Sequence, residues 1–251
     1  MIKNNLDSLV GSKPFDGAFS DSIIAAVSTR SDGNMSLSYG DSSKAVDNRK
    51  LFLTGLGIDC QALVCAKQVH SGCIKRVSAA DKGRGALTYD DAVSDTDAFV
   101  TDIRSIPLAI FTADCLSVFI YDSRHSAVGV IHAGWRSSKE NIVSKTIEFM
   151  KREFGSNPQD LYTSFGPAIR KCCYEVGAEL EKEFPGYVLD RNNSFYLDLI
   201  GVNAEQIVSA GIKKERIFDC GVCTVCQNAD YFSYRKENNQ AGRIMSVIMI
   251  K

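Results

Sequence analysis

No stretch of this chain is apolar for long enough to span a bilayer. The most apolar segment, Ile106 to Tyr121, is broken by Asp114 and falls short of the roughly 20 residues a spanning helix needs. The opening residues, Met1-Ile2-Lys3-Asn4-Asn5-Leu6, lack the apolar block of a secretion signal, so a cytoplasmic protein with no membrane partner is expected. An excess of one charge is missing as well: 29 Lys and Arg stand against 30 Asp and Glu, and the basic residues are scattered. That excludes the electrostatic footprint of a nucleic-acid binder. Proline is scarce, and no Pro-rich linker, repeat or low-complexity tract divides the chain, so residues 1–251 read as one domain, expected to be monomeric. Histidine is scarcer still, with three in the chain, too few for an oxidase of the multicopper type.

Cysteine, by contrast, is plentiful. Nine is an odd count, which in a chain of this length with no secretion signal argues for free thiols or metal ligands over a disulfide framework. Cys60, Cys65 and Cys73 lie among apolar or strand-like residues and are read as small hydrophobes. Cys220, Cys223 and Cys226 have the two-residue spacing of zinc knuckles and iron–sulfur sites. No histidine is near them, and Cys172 or Cys173 completes a site only if the fold brings the segments together, so the run is read as a decoy.

The hydrophobic pattern alternates between strand-like and helical periods. Strands are expected at 23–27, 63–69, 73–77, 98–101, 108–111, 116–121, 127–131, 161–165, 217–220 and 244–250. Helices are expected at 45–56, from an N-cap at Ser137 or Ser138 through Met150, at 176–184 and at 197–210. The polar stretch 78–95, rich in Gly and Asp, reads as a long functional or mobile loop, a lid by length alone. The sum is a mixed α/β fold with strands of both orientations.

Two of the three histidines sit at ends of apolar strands, in Gln68-Val69-His70 and Ile131-His132-Ala133-Gly134-Trp135, with Thr112-Ala113-Asp114-Cys115 between them. Strand ends converge on sheet edges, where loops carry function. His70, Cys115 and His132 are therefore candidate metal ligands, two imidazoles and a thiolate suited to zinc, though the same set also suits copper. Three protein ligands leave a coordination position open for chemistry, whereas a structural site normally has four. Asp114 is the expected carboxylate behind the ligands, placed to take a histidine N–H or a water. His125, in a polar turn, reads as a solvated surface residue. Trp135 and Phe232 could stack on a planar substrate but read first as core.

Several motifs recur in this order in one family: Gln68-Val69-His70-Ser71, Thr112-Ala113-Asp114-Cys115-Leu116, His132-Ala133-Gly134-Trp135-Arg136, Gly166-Pro167-Ala168-Ile169 with Cys172-Cys173-Tyr174-Glu175-Val176-Gly177, and Phe232-Ser233-Tyr234-Arg235. The chain resembles laccase-domain proteins, also called multicopper polyphenol oxidase-like proteins, peptidoglycan editing factors and zinc-dependent purine nucleoside phosphorylases. The resemblance runs from Ser28-Thr29-Arg30 to Gly242-Arg243. It departs from the family pattern at Ser117, Ser137 and Arg170-Lys171, and none of these removes a ligand. Arg170-Lys171 adds two positive charges beside an expected site loop.

The resemblance implies a mixed-sheet sandwich related to the deamidase domain of cytotoxic necrotising factor toxins, with one zinc on His70, Cys115 and His132. It implies phosphorolysis of purine nucleosides (adenosine, inosine, guanosine, methylthioadenosine) and deamination of adenosine by metal-activated water. Cys115 and Asp114 are the catalytic candidates. Arg30, Arg49, Arg136 and Arg235 are candidates for binding phosphate or ribose, because a guanidinium grips phosphate through paired hydrogen bonds. Three other readings stay open. They are a cysteine amidase editing cell-wall precursors (UDP-MurNAc-amino acid hydrolysis) with Cys115 as nucleophile and His132 as base, a copper-dependent polyphenol oxidase, and a metal-stabilised interaction module without turnover.

Overall fold

The apolar runs fold into two mixed sheets that pack face to face in a computed structural model describing residues 13–251. The opening segment weighed above for a secretion signal lies outside the described residues. The first sheet holds, in spatial order, β1 (Ile23–Val27), β13 (Ile244–Ile250), β5 (Leu108–Thr112) and β2 (Val64–Cys65). The second holds β12 (Ile217–Asp219), β8 (Leu161–Phe165), β6 (Leu116–Asp122), β7 (Ala127–Ala133), β4 (Ala98–Thr101) and β3 (Ile74–Arg76). Strands β2 and β5 are parallel, as are β3 with β4 and β8 with β12, and the remaining pairs in these sheets are antiparallel.

Both sheets are covered on both faces, which is why β6, β7 and β13 are buried along their whole length and read as continuous apolar runs without alternation. One core fills the space between them, with Phe99, Phe119 and Val130 from the second sheet against Leu108, Ile110, Ile244 and Ile248 from the first. Behind the first sheet, helix α1 (Ser42–Gly55) lays Phe52 and Leu53 on Ala109, Met245 and Val247. Behind the second, α3 (Ile142–Phe154) and α5 (Leu199–Ser209) cover Val100, Val118, Ile120 and Ile131. The result is a helix–sheet–sheet–helix sandwich, the mixed α/β layering expected. No helix among the described residues is long and apolar enough to cross a membrane.

Some expectations fail for local reasons. The helix after His132 does not start at Ser137 or Ser138. A short α2 (Trp135–Lys139) begins at Gly134, whose N–H donates to Ser137 Oγ, and left-handed Asn141 (φ 59°) then breaks the chain before α3. The expected strand at 63–69 shortens to β2 because the chain must leave the sheet to carry His70. The expected helix at 176–184 is β9 (Glu175–Val176) followed by the short α4 (Leu180–Glu183). A missed hairpin, β10 (Val188–Arg191) and β11 (Ser194–Leu197), turns on Asn192 and Asn193, both left-handed, as a two-residue hairpin turn demands. The 78–95 loop is not a free lid: Ala86, Ala92 and Val93 are buried, and the Gly85 N–H donates to Asp91.

Candidate active site

Register places the site. Ile74 pairs with Ala98, Ala98 with Ile131, and Leu116 with Ala133, so the starts of β3, β4 and β6 and the end of β7 share one edge of the second sheet. The loops leaving the parallel pair β2 and β5 cross from the first sheet to that edge. The β2–β3 crossing carries His70, the β5–β6 crossing carries Asp114 and Cys115, and β7 ends on His132-Ala133. Residues remote in sequence thus meet at one end of the sandwich. Cys115 Sγ lies 3.8 Å from His70 Nε2, the two imidazoles are 4.6 Å apart in a T-shaped arrangement, and donor atoms from all three residues lie within 4.8 Å of one another.

Backbone in unfavourable conformations builds this cluster. His70 (φ 60°) and Asp114 (φ 92°) occupy the left-handed region that side chains other than glycine rarely adopt, a strain that collects at functional sites. At His70 the strain is offset by Asp97, which is fully buried. Its carboxylate accepts from the backbone N–H groups of Val69 (3.2 Å), His70 (3.0 Å) and Ser71 (2.7 Å), and from the Ser71 hydroxyl (3.0 Å). The same carboxylate takes His132 Nδ1 at 2.7 Å, which turns Nε2 toward the cluster, where it would bind a metal on giving up its proton. Gln68 splints the loop to β5, its amide exchanging two hydrogen bonds with the Phe111 backbone (2.9 and 2.8 Å). Gly134 leaves room for the cluster, since a Cβ there would stand 3.0 Å from the His70 ring and 3.2 Å from Cys115 Sγ and press both ligands outward by a few tenths of an ångström.

Asp97, not Asp114, is therefore the carboxylate behind the histidines. Asp114 turns away: its oxygens accept from Thr224 Oγ1 at 2.6 Å and from the Arg235 N–H at 2.7 Å, anchoring two distant loops beside Cys115. Burial would push the Cys115 thiol up, but the charge of His132 and hydrogen bonds with both histidines bring it down to about 6. Burial would lower His132, and the Cys115 thiolate and Asp97 instead raise it to about 9. Each shift supports the other, so without metal the two rest as a thiolate beside an imidazolium; a metal would take the thiolate and displace the His132 proton.

The cluster opens on a cavity of about 500 Å³ bounded by both sheets' loops. Its aromatic wall is Tyr39, Tyr89, Phe111, Tyr174 and Tyr234, and its cationic groups are Arg49, Arg235 and Arg243. Trp135 and Phe232 do not border it; both pack with the core. His125 lies in the β6–β7 turn on Asp122, outside the cavity.

The four motif-borne arginines part company. Arg235 borders the cavity, its guanidinium tethered to the Glu175 carbonyl at 2.8 Å. Arg49 is buried in the wall, donating through Nε to the Met35 carbonyl and through Nη1 to those of Gly85 and Ala86. Arg136 is exposed and stacks on Trp135 outside the cavity lining. Arg30 is also outside it, its fork spent on Glu237, Asn228 and Tyr231 while it lies over Phe232. Arg170 and Lys171 are paired with Asp219 and Asp198, so the two extra charges brace loops and do not enter the cavity lining. Sequence reasoning missed Asp97, and gave no role to Tyr174, Gly134 and Arg243, although the last three lie within the quoted motifs. The Cys220-Cys223-Cys226 run splits: Cys223 and Cys226 meet Cys172 and Cys173, and Cys220 stays outside the group.

The Arg30–Glu237 pair gives a pH prediction. Burial would raise Glu237, but Arg30, the Ser233 N–H and Asn228 hold it near 2 against an ordinary 4.5. A depressed carboxylate stabilises the fold above its unfolded value and loses that contribution as pH falls from about 4.5 to about 2. Glu237→Gln is expected to cost about 2 kcal/mol at pH 7, after allowance for partial exposure, and almost nothing at pH 2. Urea unfolding at the two pH values measures it.

Comparison with known proteins places the whole fold in one family. Over residues 22–251 the chain matches the family described as multi-copper polyphenol oxidoreductase laccase. It is 31% identical to the purine nucleoside phosphorylase YlmD of Geobacillus stearothermophilus, covering 95% of this chain and 92% of that protein. It is 30% identical to adenosine deaminase RL5 from an unknown prokaryotic organism, covering 84% of each. Among solved structures, the hypothetical protein YfiH of Bacillus licheniformis superposes with a TM-score of 0.89 at 31% identity, over 93% of this chain and 94% of that one. With the matched region spanning both sheets and every motif of the cavity, the chain belongs to the multi-copper polyphenol oxidoreductase laccase family.

Proposed function

We propose that the chain is an enzyme that cleaves purine nucleosides with phosphate at a zinc held by His70, Cys115 and His132, and that it deaminates adenosine in the same cavity. The observation that supports this most is the meeting of a three-donor cluster with an aromatic, arginine-bearing cavity of about 500 Å³. That volume is ordinary for a small-molecule site. The relatives named as phosphorylases and as an adenosine deaminase support the same reading.

The donor set fits zinc. Ligand atoms at about 2.1 Å (N) and 2.3 Å (S) in a tetrahedron stand roughly 3.3–3.8 Å apart, a small contraction from the spacing here. Zinc is preferred to a multicopper centre because two histidines reach the cavity and the third is on Asp122. When bound, the metal supplies Lewis acidity at the cavity floor.

The protein's own residues do the rest. In phosphorolysis a phosphate oxygen forms a bond to ribose C1′ while the bond from C1′ to the purine nitrogen breaks. The base keeps the electron pair and takes up a proton. Arg235 and Arg243 supply positive charge for the phosphate, and Tyr39 lies under the Arg243 guanidinium at 3.8 Å, holding it flat against the wall. Burial, and after it the Cys115 charge, pushes the Tyr174 phenol up, so it stays protonated and can donate to the substrate. Asp97 keeps the proton on His132 Nδ1.

The test is base release from inosine as phosphate is varied. Arg235→Met and Arg243→Met are expected to raise the phosphate needed for half-maximal rate about tenfold or more, the worth of one charge-assisted hydrogen bond. Arg30→Met is expected to leave it unchanged. Base release without phosphate, or no response in either cavity variant, would contradict the assignment.

One arrangement favours a second reading. Cys115, His132 and Asp97 also stand in the order of nucleophile, base and orienting carboxylate, which suits a cysteine amidase acting on cell-wall precursors. Amide cleavage that survives chelation and is stopped by alkylation of Cys115 would select it.

A further inference from the structure

We infer that Cys172, Cys173, Cys223 and Cys226 form a second metal site, a closed four-thiolate zinc centre that staples one wall of the cavity. Their sulfurs converge within 4.8 Å of one another, with Cys226 Sγ 3.4 Å from that of Cys173 and 3.7 Å from that of Cys172. Four thiolates at about 2.3 Å around one zinc stand roughly 3.8 Å apart, so a single ion accounts for the whole set. A disulfide joins two sulfurs at about 2.05 Å and leaves no reason for two further thiols to crowd the same point. All four are free thiols here. A cluster of several irons spreads its ligands wider than this group.

The backbone is arranged for a ligand as well. Cys223-Thr-Val-Cys226 has the spacing of a zinc knuckle, and the N–H groups of Val225 and Cys226 in that turn, with that of Arg170, are aimed at the Cys223 sulfur. Such N–H donors stabilise a metal-bound thiolate. An isolated parallel bridge between Ala168 and Cys223 extends the β8–β12 pairing and brings the segments together, which the sequence alone does not reveal. Arg170 ties the same segments through Asp219 and the Val222 carbonyl, which gives its positive charge a structural use.

Four protein ligands leave no open position, so this ion has a structural task and takes no part in turnover. The two segments it joins hold the floor of the cavity. Ile169 N–H donates to the Asp114 carbonyl, Thr224 Oγ1 donates to the Asp114 carboxylate, and Tyr174 follows directly on Cys173. Joining β8–β9 to β12–α6 (Tyr234–Glu237) through metal fixes Asp114 beside Cys115 without depending on what the cavity binds.

Metal stoichiometry of the full chain, purified under reducing conditions, separates the two sites. About two zinc per chain are expected in the native protein and about one in Cys115→Ala, with a zinc absorption-edge shell of four sulfurs at about 2.3 Å in that variant. Chelation of Cys115→Ala is expected to raise hydrogen exchange across 166–176 and 220–230. Cys226→Ser is expected to keep only the other zinc. Should it fail to fold, the Cys115→Ala stoichiometry and its sulfur shell still decide. A metal-free Cys115→Ala protein with all four thiols open to alkylation overturns the assignment. So does iron in place of zinc, or a native disulfide from Cys226 to Cys172 or Cys173. None of these outcomes depends on nucleoside turnover.

Discussion

Replacing Asp97 with alanine is expected to cost both the metal and about 3–5 kcal/mol of stability, a larger loss than any other single change near the cavity. The side chain is fully buried and satisfies five donors, from Val69, His70, Ser71 twice and His132. Alanine leaves His132 without its acceptor in the buried interior, and the partly buried donors of Val69, His70 and Ser71 without the carboxylate that gathers them. It also removes what holds His70 at φ 60° and what fixes the His132 tautomer, so the two imidazoles lose their common aim. Loss of the carboxylate behind a metal-binding histidine commonly weakens metal affinity 10–100-fold, and roughly a 10 °C fall in Tm should accompany it. Asp97→Asn keeps the shape and one acceptor oxygen, and should fall between. A native melting curve and full metal content in Asp97→Ala would show that the loop and histidines are held some other way.

Arg49→Met is expected to be almost as damaging, and for a structural reason. Its Nε and Nη1 satisfy the carbonyls of Met35, Gly85 and Ala86, which join the segment after β1, helix α1 and the 78–95 loop around one buried cation. The guanidinium also lies 4.5 Å from the Phe111 ring centre. Methionine fills the volume but orphans three carbonyls, a loss of about 3–4 kcal/mol, or roughly 10 °C in Tm for a chain of this size. Lysine cannot reproduce the fork and should recover little of it. The phosphate dependence of the folded variant is expected to match the native chain. An unchanged Tm with a tenfold higher phosphate requirement would instead return Arg49 to the substrate, where its motif first put it.

What was legible in the sequence follows from what travels in short windows. Continuous apolar runs marked the strands, and the helix on Ile142, Val143, Thr146, Ile147 and Met150 showed its buried face. His70, Cys115 and His132 were legible because each stands at the end of such a run. Their convergence needed only that strand ends share an edge. Asp97 was not legible. It is 27 residues from His70 and 35 from His132, and Asp114, adjacent to Cys115, carried the same chemistry in a more obvious place. The arginines could not be told apart in the sequence: a motif marks Arg30 and Arg235 alike, and only the fold shows the fork of Arg30 filled by Glu237 while Arg235 borders the cavity. Cys223 and Cys226 read as a decoy because their fourth-ligand problem is solved some 50 residues away, by a bridge between strand extensions.

Zinc content and phosphate-dependent base release, measured together on the native chain and Cys115→Ala, test the central claim most directly. The account predicts that the native chain releases base from adenosine and inosine only with phosphate, and that Cys115→Ala loses one zinc and this activity together. Turnover that persists in Cys115→Ala, or a native chain that holds no metal and leaves nucleosides intact, would contradict it.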